Sequence, residues 1–437
     1  MNEPLKLLTA VGLLALPMTM WGEATTGQWS YRECVDYARV NNISLKRSAL
    51  TEQSASVSLE SAKAQWTPSF DFGTTQGFTN TPWGEGSKNV YNSNYGVNAA
   101  WTLWDGGKRE SDIRRASTDV QRSGWATDQE YKDIQTSILT TYLNILYARE
   151  AVEVNRSLYD VSVAQANRGK QMMESGKISM VDYQQLATQA ESDRYNVVTA
   201  EAELATRRLA LKTLLELEID QNIDVLPLQF SREMVMDELP PLSESYLLAL
   251  NTDSKLRYDS LSVKMADEDI RAAKAGAYPS LSVSAGVGTG YYSTGSQGWG
   301  EQMKRGFNEN IGLTVSIPIY DRKKTKTAIA QAKISKMSSE LDSQARRTEI
   351  AKSLEEYYID HESAKSRYEA ALESEREAAL TDELVGERFS VGYVQITELL
   401  QSHQALVSAR HEVLRAKYMA VLARKMVEFM RNGSVDL

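Results

Sequence analysis

The sequence predicts a mixed fold, a membrane β-barrel joined to a long α-helical coiled-coil barrel, built from an internally duplicated chain with four short β-strands. Three observations predict it. Segments of about ten residues alternate apolar with small or polar side chains, as tilted membrane-crossing strands do. Stretches far longer than an ordinary globular helix lack both proline and glycine, the residues that punctuate compact folds. The landmarks of the first half recur in the second.

The duplication keeps one register. Asn94-Tyr95-Gly96-Val97 matches Asn310-Ile311-Gly312-Leu313, Trp104-Asp105 matches Tyr320-Asp321, and Glu174-Ser175-Gly176-Lys177 matches Ser390-Val391-Gly392-Tyr393, all at one offset (392 minus 176 is 216). Upstream, Thr67-Pro68-Ser69-Phe70 matches Tyr278-Pro279-Ser280-Leu281 at 211 (279 minus 68), so an indel lies in a loop between these points. Residues 25–230 and 231–437 are therefore expected to form two repeats. Each runs helix, proline, strand, Gly-rich loop, strand, aspartate, long helix, Gly-centred turn, long helix.

Strands are expected near 68–79, 94–104, 280–292 and 310–320. Phe70, Phe72 and Phe78 mark the first, and the odd positions from Tyr95 to Leu103 the second. Leu281, Val283, Ala285, Val287 and Tyr291 mark the third, and Ile311 to Ile319 the fourth. A half-buried sheet in a soluble α+β domain gives the same alternation on any one strand. Four such strands facing Gly, Ser, Thr and Asn on their other side favour a polar lumen over a second packed layer. Trp83, Trp101, Trp104, Tyr291, Tyr292 and Tyr320 suit interfacial girdles. The loops Asn80 to Ser93 and Ser293 to Asn308 are expected to face outside.

From Ile319 to Val385 there is neither Pro nor Gly, enough for a helix of about 100 Å. A heptad runs through Tyr183, Ala190, Val197, Leu204 and Leu211, and in the same phase through Leu399, Leu406, Val413, Ala420 and Val427. A second seam, Ser402, Ala409, Ala416, Ala423 and Met430, suits a helix with neighbours on both sides. Gly176 and Gly392 sit where tight reversals need a positive φ. With Lys177 and Tyr393 beside them, these tips lie about 100 Å from the strands and present natural docking points.

A net charge of -9 argues against a nucleic-acid partner, which needs clustered cations. A mean hydropathy of -0.41 and no apolar run of about 18 residues beyond the N-terminus argue against a helical membrane protein. Lys6, the apolar Leu7 to Leu16 and Gly22-Glu23-Ala24 predict a signal peptide over residues 1–24. A buried N-terminal helix is the competing reading, disfavoured by Pro17. Cys34, the single cysteine, offers no disulfide framework and is expected to be a buried apolar residue. His361, His403 and His411 lack carboxylates or thiols at ligand spacing and are expected to be solvated or at the edge of the core. Neither a nucleophile motif nor a phosphate or dinucleotide loop is present, so neither an enzyme nor a cofactor is expected.

The doubled plan, with Pro68 and Pro279 opening strands, Leu103-Trp104-Asp105-Gly106-Gly107-Lys108 closing one and Val391-Gly392-Tyr393-Val394-Gln395-Ile396-Thr397-Glu398-Leu399-Leu400 at a tip, resembles the TolC-like outer-membrane efflux protein family. So does Trp29-Ser30-Tyr31-Arg32-Glu33-Cys34-Val35-Asp36-Tyr37-Ala38. The resemblance covers nearly the whole mature chain. It implies an outer-membrane homotrimer whose protomers each give four strands to a twelve-stranded barrel, although closure alone also allows two copies and eight strands. It further implies a passive channel of a tripartite efflux or type I secretion system, set in outer-membrane lipid with its helices in the periplasm. The tips would dock a periplasmic adaptor linked to an inner-membrane transporter. Glu398, and Gln401 where a second acid often stands, match the family's constriction, and Asp182 matches an acid that ties neighbouring hairpins shut; solvated helix faces are the plainer reading of these residues. The alternative from a different class is a structural periplasmic coiled-coil protein without channel activity.

Overall fold

The computed structural model describes residues 27–83 and 89–437, so the expected signal peptide lies outside the described residues. The first half holds β1 (Gln28–Trp29), α1 (Tyr31–Asn41), α2 (Ile43–Ala64), β2 (Ser69–Asn80), β3 (Asn89–Trp104), α3 (Lys108–Glu174) and α4 (Met180–Leu214). A link carries β4 (Asp224–Val225) and α5 (Arg232–Met236). The second half holds α6 (Leu242–Thr252), α7 (Ser254–Ala275), β5 (Ser280–Tyr292), α8 (Trp299–Arg305), β6 (Asn308–Ser316), α9 (Lys324–Ser390) and α10 (Ile396–Asn432).

Corresponding elements match in length. α1 and α6 have 11 residues each, α2 and α7 have 22, and α3 and α9 have 67. At 1.5 Å per residue the two longest helices reach about 100 Å. The caps repeat as well. Asn42 starts α2 by accepting from Leu45 N, and Asp253 starts α7 by accepting from Leu256 N. The long helices open on a turn in which Asp105 Oδ2 accepts from Arg109 N at 3.0 Å and Asp321 Oδ2 from Thr325 N at 2.8 Å. In the first turn Gly106 and Gly107 take positive φ; in the second, Arg322 and Lys323 are held there.

Three expected boundaries move. The second strand starts at Asn89 rather than 94. The fourth ends at Ser316, leaving Ile317, Ile319 and Tyr320 outside the sheet, because Pro318 has no N–H to give a ladder. The long helix accordingly begins at Lys324, not Ile319, and runs through Gly386.

The four long strands form one antiparallel sheet in the order β2-β3-β5-β6. Its register aligns Phe72, Val97 and Val287 in one row and Phe70, Ala99, Ala285 and Ile311 in the next. Side chains alternate across a strand, so these rows share one apolar face. The opposite face carries the rows Asp71, Asn98, Gly286, Asn310 and Gly73, Gly96, Gly288, Asn308. Phe70, Phe72, Ile311 and Leu313 are exposed on the apolar face. Aromatic residues sit at both ends of that face: Tyr91 beside Tyr291, 6.3 Å between centroids, and Trp101 with Trp104 at the helix end.

The main core lies midway along the helices. There α1, the middle of α3 and the C-terminal part of α10 enclose Cys34, Ile138, Tyr142, Ile145 and Ala420, all fully buried. Tyr142 Oη donates to the carbonyls of Trp29 and Leu226, pinning the β1–β4 pair to α3. On α10 the heptad residues Leu399, Leu406, Ala420 and Val427 are buried, and so are Ser402, Ala409, Ala416 and Ala423 of the second seam.

Candidate functional site

Two hairpin turns close the end of the helices remote from the strands. Gly176 N bonds Met173 O at 2.9 Å and Lys177 N bonds Met172 O at 2.8 Å. In the second turn Gly392 N bonds Phe389 O at 3.0 Å and Tyr393 N bonds Arg388 O at 3.0 Å. Both glycines have positive φ, 73° and 85°, in open space, so backbone conformation and not crowding requires them. Lys177 and Tyr393 are exposed. A small apolar cluster, Met172, Leu186, Val385, Phe389, Ile396 and Leu399, packs the two hairpins against each other just behind the turns.

The three gate candidates part company here. Asp182 is the third residue of α4 and is engaged in a capping box: Ser179 N donates to Asp182 Oδ2 at 3.0 Å, and Asp182 N to Ser179 Oγ at 3.1 Å. The matching positions of the second hairpin are Gln395 and Glu398 (each offset by 216), and no side-chain cap forms there. The side chains of Glu398 and Gln401 are exposed, with no hydrogen bond or ion pair among the described residues. One hairpin thus spends its acid on its own helix start, and the other leaves it free.

A polar cluster not expected from the sequence lies farther up the same hairpins. His403 and Asp193 are buried, so this histidine lies inside the core and is neither solvated nor at its edge. Asp193 Oδ2 accepts from the Ser162 hydroxyl and from His403 Nε2 at 3.0 Å, and Asp193 Oδ1 accepts from Gln189 Nε2 at 3.1 Å. These residues come from α3, α4 and α10, so one carboxylate joins both hairpins. Burial pushes the Asp193 carboxyl up, but the hydrogen bonds from His403, Ser162 and Gln189 outweigh it and hold it below the usual carboxylate value. Because a carboxylate only accepts, His403 Nε2 carries the proton of this hydrogen bond; Nδ1 is buried without a partner among the described residues. Ser162, Asp193 and His403 are closed to solvent, so the hydroxyl is not presented to a substrate. His361 is likewise inside the core and not at its edge, whereas His411 is half-buried beside Asn155, at the edge as expected.

At the other end, the polar sheet face is built by asparagine laid over glycine. A Cβ at Gly286 would sit 2.7 Å from Asn310 Oδ1 and 2.9 Å from Asn98 Oδ1, and one at Gly77 2.5 Å from Asn92 Oδ1. In the Gly286-x-Gly288-x-Gly290 run, Gly286 and Gly290 therefore make room for carboxamides and Gly288 lies against the β3 backbone, so the run is not a phosphate cradle. Where β6 ends short of the β5 terminus, the Gln302 carboxamide from α8 bonds Tyr292 N and Tyr292 O, both at 3.0 Å. It stands in for the missing strand and covers an exposed edge.

Comparison with known proteins agrees with this architecture. The outer membrane protein TolC of Escherichia coli (strain K12) is 22% identical over 392 residues, covering 87% of this chain and 78% of that protein. The outer membrane efflux protein BepC of Brucella suis biovar 1 (strain 1330) is 22% identical over 422 residues, covering 93% and 88%. The CmeC outer membrane channel of Campylobacter jejuni superposes with a TM-score of 0.75 at 18% identity, covering 100% of this chain and 94% of that one. A structure of CusC superposes with a TM-score of 0.80 at 16% identity, covering 95% and 96%. The family model described as outer membrane efflux protein matches residues 34–216 and 246–430, one segment in each half, and on that match the chain belongs to the outer membrane efflux protein family.

Proposed function

We propose that copies of this chain close side by side into one tunnel, a β-barrel in the outer membrane continued by a helical barrel in the periplasm, and that the tunnel is a passive exit for cargo. Its two repeats, 25–230 and 231–437, each give two strands and one helical hairpin to the wall. The observation that carries the reading is that open borders fall on the same two sides at every level. In the sheet, β2 and β6 are the edges. Beside the sheet the helices run α2, α3, α7, α9; toward the tips they run α4, α3, α10, α9. Thus α9, which follows β6, is one border along its whole length, and α2 and α4 form the other.

Both borders are apolar and uncovered. Ile43, Leu50 and Val57, seven residues apart on α2, are exposed, as are Tyr195 and Val198 on α4 and Ile334 and Leu341 on α9. Seven-residue spacing suits helix-to-helix packing between copies. Four strands cannot enclose a lumen, and a barrel wide enough for side chains and water needs eight or more. Three copies with twelve strands follow the TolC-like form; two copies would give eight, and the mass of the assembly separates them.

In this reading the tips Gly176-Lys177 and Gly392-Tyr393 dock a periplasmic adaptor, and an inner-membrane transporter of a tripartite efflux or type I secretion system drives the cargo. Glu398 and Gln401 line the constriction, and Asp182 contributes by fixing the start of α4. The test is extraction from outer membranes in mild detergent, followed by mass and single-channel conductance. A trimer that conducts supports the channel; a water-soluble, non-conducting protein returns the helices to a structural role.

A further inference from the structure

The strands β2, β3, β5 and β6 contain two charged side chains, Asp71 and Glu309. They lie on opposite faces and at opposite ends of the sheet. Glu309 shares the apolar face, paired with Val287 one residue into β6, at the outer rim. Asp71 is on the polar face, two residues into β2, where the strands meet the helices. Every other position of that face bears a glycine, a hydroxyl, a carboxamide or a small or aromatic neutral group.

The Asp71 side chain is exposed, with no hydrogen bond or ion pair among the described residues of one copy. Its cross-strand row continues through Asn98, Gly286 and Asn310, without a cation, and the next row is Gly73, Gly96, Gly288 and Asn308. At the strand–helix junction Lys108 pairs with Asp112 at 2.6 Å, Arg322 and Lys323 stand between β6 and α9, with Lys324 opening α9, at the sheet edge opposite β2, and Arg109 is committed elsewhere. Its side chain is buried, donates to Thr102 O, lies 3.9 Å from Asp105 and stacks 4.4 Å above the Trp66 ring. A carboxylate in an aqueous bore with low-dielectric walls focuses its field along the axis, and rings of such carboxylates favour cations.

We propose that Asp71 forms the charge filter of the β-barrel: repeated around the assembled barrel, it makes a carboxylate ring at the periplasmic mouth that favours cations and retards anions. The neutral asparagine and glycine rows beyond it contribute width and wetting but no sign. This inference rests on the closed barrel proposed above, with the polar sheet face turned inward. Charges in the helical tunnel add their own selectivity, but they are unchanged when position 71 alone is altered.

The experiment is the reversal potential of the purified full-length assembly in a planar bilayer under a potassium chloride gradient, for the native protein, Asp71→Asn and Asp71→Lys. The expected result is a potassium-to-chloride permeability ratio that falls roughly twofold or more in Asp71→Asn and further in Asp71→Lys, with unchanged oligomeric mass. The difference should shrink as salt rises from about 0.1 M to about 1 M, because the Debye length falls from about 10 Å to about 3 Å. Conducting variants with the native ratio would overturn the filter and leave the channel standing. A native protein that assembles but never conducts would remove the barrel and the filter with it.

Discussion

His403 Nε2 lies 3.0 Å from Asp193 Oδ2, and this buried pair fastens α10 of the second hairpin to α4 of the first. Removing one partner leaves an uncompensated charge or an empty donor site in an apolar surround. His403→Leu is therefore expected to destabilise the helical region by about 3 kcal/mol. Replacing both residues with leucine should cost clearly less than the two single changes added together, since the apolar pair strands no charge. Thermal unfolding of the four proteins in a double-mutant cycle checks this.

Acidification should weaken the helical region through His361. Burial, with Arg424 nearby, holds its imidazole below the ordinary histidine pKa, and burial does the same at His411. The folded state therefore resists a proton that the unfolded chain accepts. Above the ordinary pKa, near 6.5, both states are neutral and there is no cost; as pH falls below it, stability is lost until the folded value is reached. Melting temperatures from pH 7.5 to 5.5 should fall less in His361→Gln than in the native protein.

At the second tip, Gly392→Val forces a β-branched residue to φ 85°, at a cost of about 1–2 kcal/mol borne locally by the turn. Adaptor-dependent export should drop while oligomeric mass stays native. Equal export at normal protein levels would remove the tip from the docking surface.

Inside the first hairpin, Gly169 lies under the Leu186 side chain, so a Cβ there collides with it. Gly169→Val is expected to cost about 1–3 kcal/mol by overpacking, and Leu186→Ala in the same chain should restore part of the loss. Unfolding of the single and double variants measures the recovery.

Along the open border, Leu50→Asp and Val57→Asp place charges on an exposed apolar stripe of α2. Helix content should be native and the assembly should fall to smaller species, read by circular dichroism and by mass in detergent.

Much of this architecture was legible because it is periodic. Alternation marked all four strands, the absence of Pro and Gly marked the long helices, and the positive-φ demand of a tight reversal marked Gly176 and Gly392. Boundaries blurred where one residue overrides a pattern: Ile317 and Ile319 continue the alternation of β6, yet Pro318 stops the ladder before them. The capping role of Asp182 is written in Ser179, three residues before it, and not in its charge, which a solvated face or a gate would show equally. The Asp193 cluster escaped for a different reason. Its partners lie 31 and 210 residues away, and only folding brings α3 and α10 to α4. The available signal was Asp193 itself, seven residues past the buried Leu186 and seven before Ala200, a charge on an otherwise apolar stripe.

The most direct test of the closed tunnel is oligomeric mass in mild detergent paired with conductance in a planar bilayer. A trimer carrying steady ion current is the expected result, because only added copies can join β6 to β2 and α9 to α2 and α4. A water-soluble monomer or dimer that passes no current would contradict the account.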